Sequence, residues 1–191
     1  LDDIITRTAK RAFIPLTVGG GLRTIEDINR VLRAGADKVS VNSSAIRNPK
    51  LISEGAKRFG SQCIVSSIVA KKISDNKWEA YTDNGREPTG KDVVEWAKTV
   101  EKLGAGEIML TSIDKEGTKK GFDIELNKAV SEAVSIPIIS SGGMKNSDDA
   151  IELLSNTNID AIATASTLHY KLESISDIKQ KLTQNDIKVR V

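Results

Sequence analysis

Short apolar runs alternate with longer segments of helical period along the whole chain. Leu16-Thr17-Val18 ends in Gly19-Gly20-Gly21, and Thr24 then stands where a helix would be capped, with Asp27 three residues on as a shorter version of the capping-box glutamate. Ile25, Ile28, Val31 and Leu32 supply the apolar stripe of that helix, and Gly35 stops it. Asp37 to Val41 reads as the next strand. Asn48-Pro49 opens a helix that runs to Gly60, because proline suits a first helical turn. Cys63 to Val69 has the continuous small and apolar residues of a buried strand. Residues 73–87 form a polar excursion with Asn84-Gly85 as a hairpin signal. The same rhythm predicts a helix over Asp92 to Leu103, with Val93, Val94, Trp96, Ala97 and Val100 as its buried face, and a strand over Gly106 to Thr111. It continues with a helix over Ile124 to Val134, a strand over Pro137 to Ser140 and a helix over Ser147 to Leu154. A strand over Asp160 to Ala165 and a helix over Ile175 to Leu182 close the chain.

Six strands alternating with helices are parallel βα units, which leaves an open doubly wound sheet or a closed eight-stranded barrel. An internal repeat chooses the barrel. Ile14-Pro15-Leu16-Thr17-Val18-Gly19-Gly20-Gly21 matches Ile136-Pro137-Ile138-Ile139-Ser140-Ser141-Gly142-Gly143, an offset of 122 residues (136 − 14). Each copy leads to an acid-rich helix start, then to Ala36-Asp37-Lys38-Val39 or Ile159-Asp160-Ala161-Ile162, and then to a small polar residue before a helix. One βα unit takes roughly 30 residues, so the repeat spans four units, half of a (β/α)8 barrel. The expected architecture is therefore one α/β TIM-barrel domain over residues 1–191 that holds about six units. Leu1 stands in a stretch of helical spacing rather than at a methionine start, which fits a chain without its first two units, about 60 residues.

Composition narrows the function classes. The chain is 39% hydrophobic with 14 glycines, a globular composition with enough apolar mass for one core. Its 28 basic and 26 acidic residues leave +2, which gives no argument for a nucleic-acid partner or a membrane surface. No apolar run approaches a membrane span, and no secretory signal pattern stands at the front. One cysteine excludes an internal disulfide framework and a cysteine-cluster metal site, so a reducing, cytoplasmic setting is expected.

In such a barrel the chemistry sits at the C-terminal ends of the strands. The residues there are glycines and small hydroxyls: Gly19-Gly20-Gly21, Asn42-Ser43, Thr111-Ser112, Ser141-Gly142-Gly143 and Ala165-Ser166. Glycine permits close backbone approach, and helix starts after such loops offer free N–H groups to an anion. Gly143 and Ser166 follow neighbouring strands near the end of the chain, where barrels commonly hold phosphate. The repeat puts Gly21, Asn42 and Ser43 in the equivalent place, which suggests a ligand with a phosphate at each end; tight turns alone would use the same glycines. Asp114 is the most visible carboxylate for acid–base work, or simply a loop acid capping its turn. His169, the only histidine, reads more readily as packed or capping than catalytic. Lys71 fits an anion ligand or a solvated side chain, and Cys63, at the wrong end of its strand, fits the core. No metal site, Walker loop or dinucleotide fingerprint is present, so no cofactor is expected.

Six segments carry a resemblance. Val18-Gly19-Gly20-Gly21, Gly35-Ala36-Asp37-Lys38-Val39, Phe59-Gly60-Ser61-Gln62, Gly104-Ala105-Gly106-Glu107-Ile108, Leu110-Thr111-Ser112-Ile113-Asp114 and Ser141-Gly142-Gly143 resemble the cyclase subunit of imidazole glycerol phosphate synthase from end to end of the chain. The resemblance implies a lyase of histidine biosynthesis that closes an imidazole ring with ammonia from a glutaminase partner, in a heterodimer. Its substrate is a bisphosphorylated ribulosyl aminoimidazole carboxamide ribotide. It further implies that Gly21, Asn42 and Ser43 hold one phosphate and that Gly117, Gly143, Ala165 and Ser166 hold the other. Thr111 and Ser141 resemble groups near the substrate body, and Lys38 and Glu107 resemble the charged ring where ammonia enters. Glu116 stands where the family usually has Asp.

The departures bear on activity. The family uses two catalytic aspartates, one ending a first strand that this chain does not contain, the other ending a strand in a pattern like Ala-Ile-Asp-Ala-Lys. Here that stretch reads Ser67-Ile68-Val69-Ala70-Lys71, so Val69 takes the aspartate's place and neither carboxylate is intact. A lost general acid or base costs about 10²–10⁴-fold, so impaired cyclisation is expected. Three other readings stay open: a cyclase-like partner of an amidotransferase in surface-sugar amidation, a non-catalytic module that binds phosphate or docks the glutaminase, and the sister isomerase of the same pathway, which the Leu110-to-Gly117 stretch fits less well.

Overall fold

The computed structural model describes residues 2–190. Its elements run α1 (Asp2–Ala9), β1 (Thr17–Gly19), α2 (Ile25–Arg33), β2 (Lys38–Val41), α3 (Ser43–Arg47), α4 (Lys50–Phe59), a 3-10 turn (Ser61–Cys63), β3 (Ile64–Ser74), β4 (Lys77–Thr82) and β5 (Glu87–Asp92). They continue with α5 (Val93–Lys102), β6 (Glu107–Ser112), α6 (Ile124–Ser131), β7 (Ile138–Ser141), α7 (Ser147–Asn156), β8 (Ala161–Ala163), α8 (Ser166–His169) and α9 (Ile175–Gln184). Six strands pair in parallel in the order β1-β2-β3-β6-β7-β8. Each is followed by a helix, directly or after the β4–β5 excursion. Among the described residues β1 pairs only with β2 and β8 only with β7, so the sheet is open rather than a closed ring of eight.

The two faces follow from the period of two. Val39, Ile64, Ile68, Ile108, Leu110 and Ile138 point to the helix layer and are at most 1% exposed. Fully burying one such side chain is worth about 1.5–3 kcal/mol. They join Ile28, Val31, Ile52, Trp96, Leu126 and Leu153 from the helices in one apolar cluster. Lys38, Ser40, Ser67, Val69, Glu107, Thr111 and Ser141 alternate with them and stay partly accessible on the opposite, concave face. Local signals set the helix starts. Thr24 accepts from Asp27 N–H while Asp27 accepts back, and Asn146 and Asp149 form the same box at α7.

Four expectations need correction. The excursion is regular: β3 runs on to Ser74 and pairs antiparallel with β4, which pairs with β5. Trp78, Ala80 and Thr82 of β4 are buried at 2%, 0% and 6%. The sheet thus has eight strands, not six. Cys63 lies half-buried in the 3-10 turn, outside both strand and core, because the strand starts one residue later. The segment before Pro49 holds a helix of its own, α3, which Asn48 ends. Finally, α6 stops at Ser131 rather than Val134.

Candidate functional site at the strand ends

Val69, Thr111, Ser141 and Ala163 form one row across β3, β6, β7 and β8, each pair in register with the next. Thr111, Ser141 and Ala163 stand at or next to the C-terminal ends of their strands and Val69 next to the end of the part of β3 that pairs in parallel with β6, all on the concave face. A cleft of ≈ 600 Å³ opens at one end of the row, lined among others by Gly21, Asn42, Ser43, Ser67 and Val69. A smaller one of ≈ 180 Å³ opens at the other end, lined by Gly117, Ser141, Gly143, Ala165 and Ser166 with Glu116 and Lys119. Thr111 lines neither cleft and stands between Val69 and Ser141 in the ladder.

The sequence repeat is also a structural one. Gly20 and Gly21 have φ of 97° and 72°, and Gly142 and Gly143 have 101° and 100°. After each loop an aspartate holds the backbone that enters the helix: Arg23 N–H donates to Asp27 (3.0 Å), Lys145 N–H to Asp149 (2.7 Å). Before each loop an aspartate from the following strand start receives a backbone N–H, Leu16 to Asp37 (2.7 Å) and Ile138 to Asp160 (2.9 Å). Asn42 and Ala165 then precede the short helices α3 and α8. Both clefts are therefore lined by left-handed glycines and a small residue at a helix start. A Cβ at Gly21 or Gly117 would meet nothing within 4 Å, so these loops leave open space. A Cβ at Gly143 would strike the Gly121 carbonyl, so close backbone packing requires that glycine.

The remaining candidates separate. Lys38 Nζ bonds both carboxylate oxygens of Glu107, at 3.0 and 2.9 Å. This pair sits at the opposite, N-terminal end of β2 and β6 and reaches across β3. Asp114 accepts from Lys72 N–H at 2.8 Å, which fastens the extension of β3. Lys72 also donates to Glu125 at 2.7 Å; that bond raises the lysine's pKa and lowers the glutamate's. Lys71 lies over the Tyr81 ring, 5.6 Å from its centre. His169 packs edge-on against Tyr170. Asp114, Lys71, His169 and Cys63 line neither cleft. Among the described residues no group of three or more histidine, cysteine, aspartate or glutamate side chains could hold a metal ion, and no helix is long and apolar enough to cross a membrane.

A model of the family described as histidine biosynthesis protein matches residues 1–173. The chain belongs to that family. It is 51% identical over 189 residues to the imidazole glycerol phosphate synthase subunit HisF of Bacillus cereus (strain ATCC 10987 / NRS 248), an alignment that covers 99% of this chain and 75% of the relative. The subunits of the same name from Bacillus cereus strains Q1 and G9842 match over the same lengths at the same identity.

Among the residues of the larger cleft that the sequence did not point to are Arg23, Arg47, Asp83 and Asn84. Asn84-Gly85 marked a turn correctly, with φ of 59° and 80°, but not where its tip would land. It lands on α3. Asn42 Nδ2 donates to the Tyr81 carbonyl (3.2 Å), Asp83 N–H donates to Ser43 Oγ (3.1 Å), and Arg47 Nη2 meets Asp83 Oδ2 at 2.9 Å.

Proposed function

We propose that this chain is the cyclase subunit of an imidazole glycerol phosphate synthase, and that the row from Val69 to Ala163 binds a ligand with a phosphate at each end. The observation that carries the reading is the recurrence of one loop design at both clefts, in a chain half identical to relatives named HisF. Gly21, Asn42 and Ser43 hold one phosphate. Gly117, Gly143, Ala165 and Ser166 hold the other. Backbone N–H groups freed by left-handed glycines and by helix starts supply the donors. Thr111 and Ser141 face the body of the ligand between them. Ammonia from a glutaminase subunit enters at the opposite end, past Lys38 and Glu107, and the complex works in the cytoplasm.

Val69 sets the limit on catalysis. Its side chain lines the larger cleft where the family places an acid–base aspartate. Valine neither gives nor takes a proton, and a general acid or base typically contributes 10²–10⁴-fold. This favours a second reading, a homologue that binds the bisphosphate or docks the glutaminase without chemistry. Ammonia-dependent turnover of the bisphosphorylated ribotide, by the full-length product of this chain's own gene with Val69 and with Val69→Asp, separates the two, with calorimetric binding of that ribotide measured in parallel. Turnover that rises by about 10²-fold or more in Val69→Asp supports the cyclase. Tight binding without turnover in either form selects the binding module. Absence of binding in both removes both readings.

A further inference from the structure

We infer that Arg47 is a third side chain of the phosphate site in the larger cleft, and that the β4–β5 hairpin holds it in reserve, with the Asp83 carboxylate standing in for a phosphate oxygen. The inference deepens the proposed function and rests on its reading of the cleft. Ser43 and Arg47 are four residues apart on α3 and so share one face of that helix. Both point to the same partner. Ser43 Oγ lies 3.5 Å from Asp83 Oδ1 and Arg47 Nη2 lies 2.9 Å from Asp83 Oδ2, so one carboxylate spans a hydroxyl and a guanidinium beside the glycine loop. That is the donor set a phosphate takes, and arginine is the side chain best shaped to hold one.

The competition favours the ligand. The Arg47 and Asp83 side chains are 63% and 47% exposed, and an ion pair so open to water is worth little. A phosphate brings more charge and more acceptor oxygens to the same guanidinium. On arrival it takes Ser43 Oγ–H and Arg47 from Asp83, and the hairpin tip loses two of its attachments. The Asn42 bond to the Tyr81 carbonyl and the Asp83 N–H bond to Ser43 Oγ remain as the hinge side of the contact. The tip, a left-handed turn of Asp83, Asn84 and Gly85 between β4 and β5, thereby reports an occupied cleft.

The test is a titration of the 191-residue chain with inorganic phosphate, followed by amide chemical shifts, in the native form and in Asp83→Asn, Arg47→Gln and Arg47→Lys. Asparagine tolerates the left-handed conformation at position 83, so the hairpin is kept. Phosphate should shift the amides of Gly21 and Ser43 and also those of Asp83 to Gly85. Asp83→Asn should tighten binding about two- to fivefold, the range that an exposed ion pair is worth. Arg47→Gln should weaken it and abolish the gain from Asp83→Asn in the double variant, while Arg47→Lys restores part. Shifts at Gly21 and Ser43 with a silent hairpin tip and unchanged affinity in Arg47→Gln overturn the reserve role and leave the phosphate cleft standing. No shift at Gly21 or Ser43 at saturating phosphate, with shifts at Gly143 and Ser166, overturns the cleft's reading and the reserve role together.

Discussion

Val69 on β3 stands in register with Thr111 on β6, and both side chains face the concave side of the sheet. The residue before Val69, Ile68, is paired with Leu110 and points the other way, into the helix layer, where it is fully buried. A single step along β3 thus separates the concave face from the core.

Aspartate should be tolerated at 69 and not at 68. Val69→Asp places a carboxylate at the edge of an open cleft, and its cost should stay within about 1.5 kcal/mol. Ile68→Asp buries an unpaired charge among the helices and should cost more than about 3 kcal/mol, enough to unfold the chain or nearly so. Urea denaturation of the two variants decides. Equal losses would mean that the two side chains do not lie on different faces.

The two glycine loops should respond differently to one methyl group. At Gly21 the added Cβ meets open space, so the cost is the left-handed backbone alone, about 1–2 kcal/mol at φ 72°. At Gly143 the backbone is strained in the same way at φ 100° and the Cβ also strikes the Gly121 carbonyl. Gly143→Ala should therefore lower the melting temperature clearly more than Gly21→Ala does. A reversed order would contradict the packing of that loop against Gly121.

Lys38 and Glu107 are separated by 69 residues and joined by two short bonds, with side chains 30% and 18% exposed. Lys38→Met leaves a largely covered carboxylate without its partner and should cost about 1–2 kcal/mol. Adding Glu107→Gln should return part of that loss, giving a coupling energy of about 0.5–1.5 kcal/mol in a double-mutant cycle. Additive losses would mean that the pair contributes nothing as a pair.

What the sequence revealed and what it hid divide along range of contact. The six parallel strands, though not all of their bounds, the capped helices and both glycine loops were legible, from the alternation of short apolar runs with helical periods, a capping acid at i+3, glycines at left-handed positions and the recurrence of one loop at an offset of 122 residues (136 − 14). The β4–β5 hairpin was only half legible. Lys77 and Glu79 alternate with Trp78 and Ala80, but the surrounding lysines and the Asp75-Asn76 turn made the stretch read as a polar excursion, with only Asn84-Gly85 as a hairpin signal. The contact between Arg47 and Asp83 was not legible at all. It joins residues 36 apart through the docking of two elements, and neither residue belongs to a motif. The role of Lys38 and Glu107 came from the resemblance alone; their spacing in the chain says nothing of the 2.9 Å bond that joins them.

Glu173 provides a pH-dependent test of how the last two helical units are fastened. Its carboxylate accepts from Ser147 N–H at 2.6 Å, from Ser147 Oγ at 3.0 Å and from Lys181 Nζ at 2.8 Å, which ties the start of α7 to α9. Burial alone would raise its pKa, but the bonds from Lys181 and Ser147 outweigh it and hold the carboxyl below the usual glutamate range. Lys181 is shifted upward by the same bond. A depressed carboxyl pKa contributes stability that is fully present above the unfolded value and is lost as pH falls through the folded one. A raised lysine pKa contributes stability that is present below the usual lysine value and is lost as pH rises through the folded one. Glu173→Gln should therefore be less stable than the native chain by about 1 kcal/mol at pH 7, the worth of a helix cap. The difference should hold down to the ordinary glutamate range, shrink as pH falls below it, and shrink again above about pH 10.4 as lysine loses its proton. Other carboxylates titrate equally in both proteins and drop out of the difference. Denaturation midpoints of the two chains across pH check this; a gap that stays constant from pH 7 to pH 3 would show that the ionised carboxylate is not what joins α7 to α9.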